Sequence, residues 1–96
     1  MTPELKSAIA VYAGVFTAEI LSHSLGLEVR WNLDRQAPEV IEAHVVDRSG
    51  PQTRVRGTLV QTKTLADYPN RASDLAKLEA DRAVKSLVRA RTGVEP

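Results

Sequence analysis

Apolar residues near the start of the chain recur at helical spacing, with Leu5, Ile9, Tyr12, Phe16 and Ile20 on one face. Thr2-Pro3-Glu4 opens the segment with a capping hydroxyl, a proline suited to the first helical position and an acid that complements the helix dipole. Gly26 supplies a stop after Leu25, and Leu27 is placed to pack back on the last turn, so the pattern predicts a helix over 3–25. Its other side is also nearly uncharged. Between Ser7 and Leu21 the only charge is Glu19, and Ala10, Gly14 and Ala18 recur every four positions. A helix apolar all round has to be covered on both sides.

The period then changes to two. Leu27, Val29, Trp31 and Leu33 alternate with Glu28, Arg30 and Asn32, which predicts a half-buried strand over 27–33. Asp34-Arg35-Gln36-Ala37-Pro38 breaks it. A second strand is expected over 39–47, with Ile41, Ala43 and Val45 facing one way and Val40, Glu42, His44 and Val46 the other. Ser49-Gly50-Pro51 is a turn. A third strand is expected over 53–63. There Val55 and Leu59 share the apolar face, Arg54, Arg56 and Thr58 oppose them, and Gly57 marks a bulge or a close backbone approach.

A loop over Thr64–Asn70 follows, closed by Pro69. The last helix is expected over 71–92, capped by Asn70 or Ser73 and stopped by Gly93. Its core stripe is Ala72, Ala76, Ala80, Ala83, Val84 and Leu87, and Asp81 and Lys85 form a favourable i,i+4 pair. The fold class is therefore α+β: helix, three-stranded antiparallel meander, helix, in one domain spanning 1–96, with both helices on one face of the sheet. The last helix is the expected cover for the alanine–glycine stripe, and a second copy or another protein is the alternative cover.

Composition narrows the function classes. Ninety-six residues hold one small core. The absence of cysteine excludes disulfides and thiolate chemistry, and fits a reducing compartment. Residues 8–18 are apolar, but Glu4 before a single Lys6, and the polar Ser22-His23-Ser24 after them, do not match a signal peptide. The stretch is shorter than the ~20 residues of a membrane span. A soluble cytoplasmic protein without membrane contact is expected.

Charge is nearly balanced, at +1 overall, yet unevenly placed. Residues 1–48 carry four basic and seven acidic side chains, and residues 49–96 carry nine and five. The basic half offers Arg71, Arg82, Lys85 and Arg89 on one side of the last helix, with Arg54 and Arg56 on the third strand, as candidate contacts for phosphate or nucleic acid. Asp74 and Asp81 border that row, so a solvated helix face is the preferred explanation and phosphate contact the alternative. Glu19 and His23 have i,i+4 spacing suited to metal ligands, but only His44 is left to join them. Glu28 and Glu42 share a strand face with arginines, which fits ion pairing better than acid–base catalysis. No serine lies in a nucleophile-elbow pattern, and no glycine-rich phosphate loop is present. No catalytic, cofactor or metal residues are assigned.

The element order resembles that of double-stranded RNA-binding domains. Val45-Val46-Asp47-Arg48-Ser49-Gly50-Pro51 is similar to their acidic-Gly-Pro turn, and Ala80-Asp81-Arg82-Ala83-Val84 to the alanine-rich end of their second helix. The resemblance implies phosphate binding by a lysine cluster at the start of that helix, but the matching stretch here is Arg71-Ala72-Ser73-Asp74-Leu75. The family's Gly-Pro turn joins strands one and two, whereas this one joins two and three. Their first helix shows RNA a polar face, and this one does not. Shared architecture does not carry function. The expected role is a non-catalytic interaction domain (an adaptor, assembly subunit or dedicated inhibitor). It would bind a protein partner or itself, as a homodimer through Ala10, Gly14, Ala18 and Leu21. Nucleic-acid binding by the basic helix face is the alternative.

Overall fold

The first helix, α1 (Pro3–Ser22), begins where the sequence marks it. Thr2 is extended, its Oγ1 accepts the Leu5 N–H at 3.1 Å, and Pro3 takes the first turn. The helix ends three residues before the expected Leu25. His23 caps it, Ser24 turns left-handed at φ 55°, and Gly26 follows at φ 70°. Ser24 thus takes the left-handed position that the sequence pattern assigned to glycine. The computed structural model describes residues 2–32 and 39–92; Leu33, the break Asp34–Pro38 and the stop at Gly93 lie outside them.

Three strands, β1 (Glu28–Asn32), β2 (Val40–Asp47) and β3 (Arg54–Gln61), form an antiparallel meander in the order β1-β2-β3. The β2–β3 register runs without a slip from Val40 opposite Gln61 to Asp47 opposite Arg54. Gly57 therefore marks no bulge. It lies opposite His44, whose Cδ2 is 3.7 Å from the point a Cβ would occupy.

The third strand stops two residues early and gives way to a short helix, α2 (Thr62–Asp67), where a loop was expected. Thr62 fixes the change, because both its N–H (3.0 Å) and its Oγ1 (3.1 Å) donate to the Glu39 carbonyl. Leu65 then enters the core. A 3₁₀ turn (Pro69–Arg71) leads into α3 (Ala72–Thr92), so Ser73 lies inside the helix rather than capping it.

Both helices cover one face of the sheet, with α1 against β1 and α3 against β3. α1 contributes Tyr12, Phe16 and Ile20 to the core, and α3 contributes Ala72, Ala76, Ala80 and Ala83. Large side chains on one helix thus pack over small ones on the other. Trp31 closes the seam between α1 and β1. Its ring meets Phe16 edge-on at 5.4 Å and Tyr12 at 6.1 Å, and its Nε1 donates to Thr17 Oγ1 at 3.0 Å.

Candidate interaction surfaces

The alanine–glycine stripe of α1 lies on the opposite side from this packing. Ala10, Gly14 and Ala18 are exposed, Leu21 is 55% exposed and Val11 45%. A Cβ placed on Gly14 would meet nothing within 4 Å. The expectation that the last helix covers this stripe is corrected: α3 needs only one face of α1, and its own alanines make the close approach possible. Ser7 continues the stripe toward the N-terminus, so the exposed positions of α1 from Ser7 to Leu21 carry no charge, and the one charge in that span is the half-buried Glu19.

The faces of β3 are the reverse of the expectation. Residues opposite one another in an antiparallel pair point the same way, and β2 buries Ile41, Ala43, Val45 and Asp47 beneath the helices. Their partners Val60, Thr58, Arg56 and Arg54 share that side. Val55, Gly57 and Leu59 lie on the open face with Val40, Glu42 and His44. Val55 is 57% exposed and Leu59 62%. Hydrophobicity alone suggested the opposite parity, and an unbroken register overrides it, because a shift of one residue would turn every side chain over. Arg54 and Arg56 thus lie on the helix side, apart from Arg30 and His44 on the open face. Neither Arg54 nor Arg56 forms an ion pair among the described residues. On the open face Glu28 bonds Arg48 and lies 3.5 Å from Arg30, while Glu42 meets His44 Nε2 at 2.9 Å. The Arg48 hydrogen bond, more than any other effect, draws the Glu28 carboxyl below its ordinary range.

The outer side of α3 carries Arg82, Lys85 and Arg89, with Arg71 in the preceding turn, and all four are exposed. On the same helix Arg82 meets Glu79 at 3.1 Å and Lys85 meets Asp81 at 2.9 Å. A cleft of about 570 Å³ opens between α2, the 3₁₀ turn and α3, lined by Leu65, Tyr68, Arg71, Asp74, Leu75 and Leu78. Sequence reasoning assigns Tyr68 no role, and the one signal for it is an aromatic residue directly before Pro69 in a polar connection. Among the described residues no three His, Asp or Glu side chains converge to hold a metal.

The strongest polar contact was also missed. Arg91 donates to both Asp47 oxygens, from Nε to Oδ2 at 2.7 Å and from Nη2 to Oδ1 at 2.9 Å, and Nη2 reaches the Leu25 carbonyl at 2.6 Å. The Ser49 N–H donates to Asp47 Oδ1 at 3.0 Å. Asp47 is 2% exposed, and the Arg91 hydrogen bonds hold its carboxyl well below the usual carboxylate range. A sequence signal exists, since an acid that continues the inward row Ile41-Ala43-Val45 requires a buried cation. This contact ties the end of α3 to β2 and to the α1–β1 connection, which makes it structural.

Comparison of the chain with protein families, with curated proteins and with solved structures finds no match.

Proposed function

We propose that the chain is a non-catalytic protein-interaction domain that pairs with a second copy through the outer face of α1. The observation that carries this reading is the composition of that face, in which Ser7, Ala10, Val11, Gly14, Ala18 and Leu21 are exposed and the one charge between Ser7 and Leu21 is the half-buried Glu19. Soluble monomers rarely leave such a patch open. A glycine inside a helix costs ~1 kcal/mol against alanine, and nothing within the described chain approaches Gly14. A second helix backbone would use that space. The stripe is symmetric about Gly14. In an antiparallel pair crossing there, Ala10 of one copy meets Ala18 of the other in a self-complementary contact. Adaptor, assembly and inhibitory roles are all served by such pairing. α1 is long and apolar enough to cross a membrane by length and composition. The burial of Tyr12, Phe16 and Ile20 within the fold supports a domain helix instead, and the lack of cysteine accords with a cytoplasmic location.

Sedimentation equilibrium tests the reading. The parent is expected to be a dimer, and Gly14→Glu and Leu21→Glu are expected to be monomers that melt no lower than the unpaired parent. A monomeric parent, or variants that pair as the parent does, would refute it. The exposed row on α3 favours nucleic acid as a second reading, distinguished by salt. Contacts to four phosphates give a log–log slope of roughly −3.5, whereas the apolar pairing is nearly salt-independent. Absence of duplex RNA binding at ~50 mM salt removes that reading.

A further inference from the structure

β3 is an outer strand of eight residues with no proline and no bulge, and its register fixes which backbone groups are left unpaired by the described strands. The Thr62 N–H bonds the Glu39 carbonyl. Bonded pairs alternate along an antiparallel ladder, so Arg54, Arg56, Thr58 and Val60 bond to β2. The N–H and C=O groups of Val55, Gly57 and Leu59 then point away from the sheet. Natural sheets usually protect such an edge with charged side chains, proline, a bulge or a very short strand, and of these β3 has only charge, in Arg54 and Arg56 at one end.

The side chains along this edge define what fits it. On the open face Val55 and Leu59 flank Gly57 and present apolar surface. On the helix side Arg54 and Arg56 are exposed and lack acidic partners among the described residues. From Arg48 to Ala66 the chain has four basic residues and no acidic one. We infer that the free edge of β3 accepts an extended partner segment whose side chains alternate between apolar and acidic, added as a fourth strand. Its backbone takes up the free groups of Val55, Gly57 and Leu59. Its apolar side chains lie beside Val55 and Leu59, and its carboxylates lie beside Arg54 and Arg56. A second copy of β3 fits poorly, because it would bring its own arginines alongside and supply no acid.

Fluorescence anisotropy with a labelled eight-residue peptide alternating valine and glutamate tests this, with the valine–lysine peptide as control. The glutamate peptide is expected to bind and the lysine peptide not. Gly57→Pro removes an N–H that faces away from β2, and edge strands tolerate proline there. It is expected to melt like the parent yet bind about tenfold more weakly, the loss of one or two backbone bonds. The double variant Arg54→Glu with Arg56→Glu is expected to prefer the lysine peptide. Equal binding of both peptides to the parent, no binding of either, or full binding by a folded Gly57→Pro would each overturn the inference. A dimer broken by Gly57→Pro but not by Gly14→Glu would place a second copy on the edge and overturn it too. So would duplex RNA binding that the double variant loses and Gly57→Pro keeps, since the arginines would then serve phosphate.

Discussion

Tyr12 has the largest volume of the fully buried side chains, and its hydroxyl has no hydrogen-bond partner among the described residues. Burial, followed by the Glu79 charge, pushes the phenol well above its ordinary range, so it stays neutral. A buried hydroxyl left without a partner costs roughly 1–3 kcal/mol. The ring meanwhile stacks on Phe16 at 6.0 Å and meets Trp31 edge-on. Tyr12→Phe keeps both ring contacts and removes only the oxygen. It is expected to raise unfolding stability by about 1 kcal/mol in urea titration, and an equal loss would reveal a bond that the hydroxyl makes in solution.

Among the elements, α1 separates fold from association most cleanly. Because a Cβ on Gly14 meets open space, Gly14→Ala is expected to stabilise the unpaired fold by about 1 kcal/mol, read as a rise in thermal midpoint at low concentration. A drop would mean that the chain itself packs against that position. The helix start, the faces of β1 and β2 and the alanine stripe of α3 were legible because each repeats a period over several residues. α2 was not, since six residues with Leu65 as the main apolar anchor are too short to establish a period, and the Thr62–Glu39 bond that starts it is long-range. The parity of β3 misled for the opposite reason. Val55 and Leu59 look like core residues, and only pairing with β2 reveals that Thr58 and Val60 are the buried ones. The candidate surfaces were half legible: the α1 stripe was visible in the sequence, but its exposure depended on where α3 docks.

Over the whole molecule, Asp47 and Arg91 bind together parts of the chain 44 residues apart. Asp47→Ala removes the buried member of the pair and leaves Arg91 partly open to water, and it is expected to cost about 2 kcal/mol at neutral pH, the loss of charged hydrogen bonds. The pH dependence has a definite sign. A carboxyl held below its unfolded value near 3.9 contributes fully above that value, and the contribution fades as pH falls toward the folded one. Urea titrations of parent and Asp47→Ala are therefore expected to differ at pH 7, to begin narrowing below pH ~4 and to close only as pH nears the folded value, and a gap that does not narrow over that fall would show packing, not charge, to be the cause. The larger layout also separates the two outward surfaces. α1 flanks β1 and α3 flanks β3, so the helix stripe and the free strand edge lie on opposite flanks, and occupation of one leaves the other open.

Trp31 is the chain's sole tryptophan, and it sits between α1 and β1 with its indole nitrogen on Thr17. Its ultraviolet emission is therefore a gauge, built into the molecule, of whether the first helix is docked. Any ligand or substitution that lifts α1 from the sheet wets this one fluorophore and shifts its spectrum to the red, with no label attached.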